Sequence, residues 1–265
     1  MAKHQTFRLA RQLVLVQLGL LSSLSGCAQD YSLAPPANSE QVTVRIKVPP
    51  ELEAEKMEVM YRSTTCQRTR YDAYGKPYKV DGFHGIDVQP QQQGQSDIYE
   101  AKLARDGGGA CRWHLANVTF GVAYRELTRF GGGAAYGAGG GVIVIFDNND
   151  SPRGGANVTV DGDLVVREDY YPWVSERFLG GHSVSVNLLG SGGIYLKYKA
   201  ERARNVFFEP ILHGDYVVRS VGPKIKKDGN PGVVTYPGED ERVATFLDPS
   251  FQRLESIRKK TEAQK

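Results

Sequence analysis

Hydrophobic and polar residues alternate along most of the chain, a pattern typical of half-buried β-strands. The clearest case is residues 42–48, where valine or isoleucine occupies every second position. Pro49 and Pro50 end this strand because proline cannot donate to a sheet ladder. Further strands are predicted at residues 56–63, 97–103, 111–120, 142–146, 156–160, 164–167, 183–189, 194–199, 206–209, 216–220, 233–236 and 243–247.

Three segments depart from this alternation. Residues 67–96 are rich in Gln, Gly, Tyr and Pro, which indicates a long loop or a loose hairpin. The glycine-rich run 131–141 is interpreted as a mobile loop. Only residues 249–265 carry hydrophobic side chains at helical spacing.

Many short strands with frequent glycine turns predict an all-β fold. We expect a β-sandwich-like architecture, either one large or two small sandwiches, with a short C-terminal helix. Two sandwiches would divide the chain into β-rich regions 41–130 and 131–265. The alternative is that both regions form the same domain.

The first 26 residues have a different character. Lys3, Arg8 and Arg11 precede an apolar run of about 13 residues, too short for a membrane-spanning helix, which needs about 20. A positive start, a short apolar run and small residues together are typical of a secretory signal peptide.

The end of this segment, Leu24-Ser25-Gly26-Cys27, resembles the lipobox of bacterial lipoproteins. The resemblance implies that Cys27 is lipidated and that the mature protein is anchored to a membrane in the periplasm. Residues 27–40 are polar and proline-marked, so they are expected to be the lipidated N-terminus followed by a flexible tether. Ala28, in place of the aspartate that retains such lipoproteins at the inner membrane, favours the outer membrane.

Charge excludes one class of partner. The chain has 33 basic and 30 acidic residues. Three of the basic residues, and none of the acidic ones, lie in the predicted signal peptide, so 30 of each remain. A general basic surface for nucleic acid is therefore not indicated.

Cys66 and Cys111 remain once Cys27 is assigned to lipid. Two remaining cysteines in an exported protein predict one disulfide. It would close a loop of about 45 residues, for which the loop-entropy model gives a stabilisation of the folded state by roughly 4 kcal/mol. The alternative is two buried free thiols. Neither cysteine lies in a C-x-x-C motif, so neither a metal site nor a cofactor is predicted.

No catalytic set is recognisable. Gly181-His182-Ser183 matches the start of a nucleophile elbow, but Ser185 stands where the motif needs a small glycine-like residue, and a strand rather than a helix is predicted next. The run 131–141 lacks the Lys-Ser or Lys-Thr of a phosphate loop. We therefore expect a protein that is not an enzyme.

Aromatic residues instead indicate a binding surface. After Cys66, the chain places tyrosine and phenylalanine among arginine and glycine, a composition favoured at protein interfaces. The alternative is that these tyrosines pack onto the sheet. The candidate partner-binding residues are Tyr71, Tyr74, Tyr78 and Phe83, together with Tyr136 in the glycine-rich run.

Two cysteine-containing segments resemble a known family. Residues 60–66 (MYRSTTC) and 106–122 (DGGGACRWHLANVTFGV) are similar to the Y-R-S-x-x-C and G-G-G-x-C-x-W-x-L-x-N segments of immunity lipoproteins of type VI secretion phospholipase effectors. The resemblance covers the signal peptide and about residues 57–122. It implies a membrane-anchored, non-enzymatic protein whose partner is a cognate lipase effector, which it inhibits by occluding the active site. The alternative is a structural or accessory envelope lipoprotein for secretion-machine assembly or glycan binding.

Overall fold

The computed structural model describes residues 30–149, 158–227, 229–244 and 246–264. The predicted signal peptide and Cys27 lie outside these residues. Within them the chain forms eighteen strands and one α-helix. The elements are β1 (Gln41–Lys47), β2 (Leu52–Ala54), β3 (Met57–Tyr71), β4 (Pro77–Val88), β5 (Gln91–Gln92), β6 (Ile98–Ala104), β7 (Asp106–Gly108), β8 (Trp113–Tyr124), β9 (Ala134–Gly139), β10 (Gly141–Ile145), β11 (Val158–Thr159), β12 (Leu164–Arg177), β13 (Ser183–Leu189), β14 (Tyr195–Lys199), β15 (Asn205–Leu212), β16 (Val218–Val221), β17 (Gly232–Thr235), β18 (Arg242–Ala244) and α1 (Phe251–Glu262).

Two sheets enclose the main core. The first has the strand order β11-β14-β10-β8-β3-β4, with β2 and β7 also paired to β8. The second has the order β18-β17-β16-β12-β15-β1-β6-β5, with β13 beside β12 and β9 beside β13. Alternation decides which side chains face inward: Val42, Val44 and Ile46 of β1 are fully buried in one cluster with Val118 and Phe120 of β8. The predicted all-β, sandwich-like fold with a short C-terminal helix is confirmed.

Strands from both β-rich regions of the sequence mix in each sheet. In the second sheet, β1 lies parallel to β15, with Val44 opposite Val206. In the first sheet, β8 lies antiparallel to β10, with Val118 opposite Val144. Regions 41–130 and 131–265 therefore do not form separate sheets.

The glycine-rich run differs from its prediction as a mobile loop, because it contains strand β9. This strand pairs in parallel with β13, where Ala135 lies opposite Ser185. At Gly139 a β-carbon would stand 1.9 Å from the carbonyl oxygen of Leu188. The glycine therefore allows two backbones to approach closely. A glycine-rich composition is compatible with this role as well as with a flexible loop, so the sequence alone does not distinguish them.

The predicted flexible tether also differs from the structure where it is described. Residues 30–39, called the strap below, are hydrogen-bonded to β7 and to the first residue of β8. The amide of Ala34 donates to the carbonyl of Gly107 at 2.9 Å, and Trp113 Nε1 donates to the carbonyl of Tyr31 at 3.0 Å. Leu33 packs against the main core, so the strap belongs to the folded domain.

Helix α1 covers an extension of the second sheet. Ser250 caps its first turn by accepting a hydrogen bond from the amide of Arg253 at 3.3 Å, as expected for a serine N-cap. Leu254 is fully buried in a second cluster with Tyr171 and Val218. No helix in the described part of the chain combines the length and the apolar character needed to cross a membrane.

Candidate binding site

A two-stranded ribbon projects from one end of the first sheet. Strand β3 pairs with β8 only as far as Arg62, opposite His114, whereas its pairing with β4 continues to Tyr71, opposite Pro77. Residues 63–83, called the ribbon below, thus extend past the end of β8, and residues 67–79 are all exposed. Of the two sequence expectations for this segment, the hairpin is the one that the chain adopts.

The base of the ribbon is covalently fixed. Cys66 and Cys111 form a disulfide, and both are buried, so the predicted pairing is confirmed over two free thiols. Beside it, the buried Ser63 hydroxyl donates to the carbonyl of Cys111. The same oxygen accepts from the amides of Thr65 and Cys66, at 3.1 and 2.9 Å. These bonds satisfy backbone groups where the β3–β4 register shifts, between Ser63 and Arg68.

The tip of the ribbon is a well-defined turn. The amide of Asp72 donates to the carbonyl of Lys76 at 3.0 Å. The Asp72 carboxylate accepts from the amides of Tyr74 and Lys76, each at 2.9 Å. Gly75 has a φ of 78°, the left-handed region that glycine adopts readily. An aspartate that bonds its own turn in this way holds the tip without help from the rest of the domain.

The aromatic side chains predicted for binding are directed to solvent. Tyr74 is 96% exposed and Tyr71 is 68% exposed, while Tyr78 and Phe83 are 49% and 38% exposed. The guanidinium of Arg68 lies 3.9 Å from the centre of the Phe83 ring, a favourable cation–π distance. These tyrosines therefore do not pack onto the sheet, which was the alternative expectation.

One face of the ribbon combines arginine with tyrosine. Directly opposed residues of paired strands share a face, and Arg70 lies opposite Tyr78 while Arg68 lies opposite Val80. We call Arg68, Arg70 and Tyr78 the flank. Arginine and tyrosine are the residue types enriched among the energetically dominant contacts of protein interfaces. The ribbon as a whole has four basic residues (Arg68, Arg70, Lys76, Lys79) against two acidic ones (Asp72, Asp81).

Tyr136, the fifth candidate, lies elsewhere. Its hydroxyl donates to the carbonyl of Gly139 at 2.7 Å and lies 3.2 Å from the carbonyl of Val122. Val122 stands near the end of β8 that is remote from the ribbon. Burial raises the pKa of the Tyr136 hydroxyl. The structure therefore brings four of the five candidate residues together and separates Tyr136 from them.

Ser183, the residue considered as a nucleophile, is the first residue of β13. It is exposed and lies opposite Arg177 in a regular antiparallel pair. A nucleophile elbow requires a sharp turn from a strand into a helix, and here the strand follows the serine. The local geometry therefore differs from an elbow.

A polar cluster between α1 and the second sheet was not predicted, because its members come from three separate elements. His213 Nε2 lies 2.5 Å from an Asp169 carboxylate oxygen, and possible ligand atoms of Asp169, His213 and Glu255 lie within 4.8 Å of one another. However, Arg258 already donates to Glu255 at 2.9 Å and to the Tyr171 hydroxyl at 2.9 Å. A guanidinium at this position opposes cation binding, so the cluster is better suited to fastening α1.

The charges of this cluster are strongly coupled. Burial alone would raise the pKa of Glu255, but hydrogen bonds from Lys259, Tyr171 and Arg258 outweigh it and lower the pKa to about 2. Glu255 is therefore ionised at neutral pH, as its role in fastening α1 requires.

A comparison of this chain with known protein families, curated proteins and solved structures finds no match.

Proposed function

We propose that this protein is a membrane-anchored periplasmic immunity protein that binds and inhibits a type VI secretion lipase or phospholipase effector. The observation that carries the proposal is the ribbon, a hydrogen-bonded and exposed element with aromatic residues and arginines. A non-enzymatic inhibitor acts by binding alone and therefore depends on tight contact. A contact element that is ordered before binding loses less conformational entropy on association.

The position of the family-like segments supports this assignment. Residues 60–66 lie on β3, and residues 106–122 include β7, the Cys111 loop and most of β8. The Cys66–Cys111 disulfide joins the two segments at the base of the ribbon. The part of the chain that resembles immunity lipoproteins is thus the part that holds the candidate contact element.

Occlusion is the mechanism that suits the ribbon. From Cys66 to Tyr71 it extends over five residues, about 17 Å of strand. A projection of that length can enter the active-site cleft of a lipase while the flank contacts the rim. The lipid on Cys27 would keep the inhibitor at the membrane where such a toxin acts.

Periplasmic co-expression with a lipase encoded beside this protein tests the proposal. We expect survival of the cells and a complex that co-purifies. Arg70→Ala and Tyr78→Ala should each weaken binding by about 30-fold, a typical loss for a dominant interface contact. Val243→Ala is the matched control, because Val243 is an exposed apolar residue on β18 of the other sheet. The proposal would be refuted if the unaltered protein gave no protection and did not bind the lipase.

A second candidate function is favoured by a cleft at the opposite end of the sandwich. It has a volume of about 570 Å³, and its lining residues include Tyr99, Arg125, Glu209, Gln92 and Gln95. An aromatic ring among amide and charged groups is suited to sugar binding, which would agree with an accessory envelope lipoprotein. Binding of peptidoglycan fragments that is lost in Tyr99→Ala, without any effect on lipase binding, would favour this alternative.

A further inference from the structure

The chain enters the domain at the end from which the ribbon projects. Strand β3 runs toward the ribbon, and the antiparallel β8 begins at that end with Trp113. The strap starts here, because Trp113 donates to Tyr31 and Cys111 Sγ lies 3.8 Å from the carbonyl oxygen of Asp30. Asp30, the first described residue, is therefore at the base of the ribbon.

The remaining chain between Asp30 and the predicted lipid is shorter than the ribbon. Three peptide units separate Cys27 from Asp30, and fully extended they span at most about 11 Å. The ribbon reaches about 17 Å beyond Cys66 before its turn. A projection longer than the chain segment beside it can reach the membrane surface to which that segment is attached.

We propose that the tip of the ribbon contacts the headgroups of anionic phospholipids in the membrane that holds Cys27. This inference rests on the proposed function, because it takes Cys27 as lipidated. It adds a second ligand to the ribbon: in the free protein the tip touches lipid, and it leaves the headgroups for the active-site cleft when a lipase binds.

The chemistry of this end suits a headgroup layer. Tyr71 and Tyr74 are among the most exposed aromatic residues of the described chain, and Tyr31 at the ribbon base is 52% exposed. Tyrosine is enriched at the level of the headgroups, where its ring and its hydroxyl are both accommodated. Lys76 and Lys79 carry flexible stems and positive charges that anionic lipids attract. The acidic residue of the tip, Asp72, is engaged with backbone amides of its own turn.

Site-directed spin labelling of the lipidated, full-length protein tests the inference. A label at Ala73→Cys reports on the tip. A label at Glu126→Cys is the control, because Glu126 is exposed and follows the opposite end of β8. The proteins are reconstituted in vesicles of phosphatidylethanolamine and phosphatidylglycerol that carry a nickel chelate on some headgroups. Mass spectrometry verifies that Cys66 and Cys111 remain joined in both labelled proteins.

We expect the label at position 73 to relax at least about tenfold faster than the label at position 126, because only the tip reaches the chelate. The double variant Lys76→Glu/Lys79→Glu should lower that relaxation by about tenfold, since each basic residue near an anionic surface adds a several-fold preference. Equal relaxation at the two positions would overturn the inference.

The two proposals fail in different ways. A tip label that does not sense lipid, but becomes immobilised when the lipase is added, would overturn the headgroup contact and leave the immunity function intact. Failure of Cys27 to incorporate labelled palmitate would remove the anchor on which both depend. A lipid-sensing tip in a protein that gives no protection would support the contact and refute the immunity function.

Discussion

Gly82 lies so close to Cys66 that a β-carbon at position 82 would stand 1.9 Å from the Cys66 carbonyl oxygen. This approach occurs where β4 passes the register shift of β3, next to the disulfide. The ribbon therefore depends on the absence of a side chain at one position of its second strand.

We expect Gly82→Ala to lower the free energy of unfolding by about 1–3 kcal/mol, because the backbone of one strand has to move to admit the methyl group. Urea unfolding measures the change. Gly85→Ala is the matched control on the same strand, since its β-carbon would have Met60 Cε as the nearest neighbour, at 3.8 Å. Equal unfolding midpoints for the two variants would contradict the expectation.

Loss of the disulfide should destabilise the domain and loosen the ribbon. For Cys66→Ser/Cys111→Ser we expect a decrease of about 2–4 kcal/mol in the free energy of unfolding, since the bond closes a long loop in the unfolded chain. Urea unfolding of the unaltered protein with and without dithiothreitol gives the same comparison without mutation. An unchanged midpoint, in samples where mass spectrometry shows that the bond is reduced, would show that the bond contributes nothing to stability.

The strap should become more mobile when its anchor is removed. Trp113→Phe keeps an aromatic ring but loses the hydrogen bond to the Tyr31 carbonyl, which is worth about 1 kcal/mol, and also loses part of a buried side chain in the main core. Hydrogen exchange at the Ala34 amide, which donates to Gly107, should become about fivefold faster. Trp173→Phe, which loses a bond to Ser220 Oγ in the second sheet, should leave this exchange rate unchanged. Similar acceleration in both variants would count against a specific anchor.

Acid should weaken the attachment of α1. The pKa of Glu255 is about 2 in the folded protein, below its ordinary value of 4.5. A carboxyl group with a lowered pKa adds stability that is fully present above about pH 4.5 and is lost as the pH falls toward 2. Urea unfolding across this interval should show a decline that is smaller in Glu255→Gln. Glu126→Gln, at an exposed position outside the helix, is the control and should retain the decline. Parallel curves for the unaltered protein and Glu255→Gln would argue against the effect.

Alternation predicted strands with one buried face, such as β1, and missed the outer half of β3. Strand β1 was found because every second residue from Val42 enters the core. The outer half of β3 carries Arg68, Arg70 and Tyr71 in a ribbon without a buried face, so no hydrophobic period marks it. Such a strand is held by hydrogen bonds to the neighbouring backbone, and these bonds leave no pattern of side chains in the sequence.

The aromatic residues of the candidate site were predictable as a group, but their arrangement was not. Tyr71, Tyr74 and Tyr78 lie within eight residues of one another, so composition alone indicated a contact surface. Tyr136 was grouped with them because it also stands in a glycine-rich segment. Only the pairing of β9 with β13 shows that it belongs to another part of the molecule.

Strand β1 finds its parallel neighbour β15 about 160 residues later in the chain, and Val44 pairs there with Val206. Contacts between such distant segments form slowly because a large loop has to close first. The second sheet cannot be completed until nearly all of the polypeptide is present, because its edge strands β17 and β18 lie close to the C-terminus. We expect a nascent chain that stays unfolded until its synthesis is nearly complete, a property that would suit the export proposed for this protein.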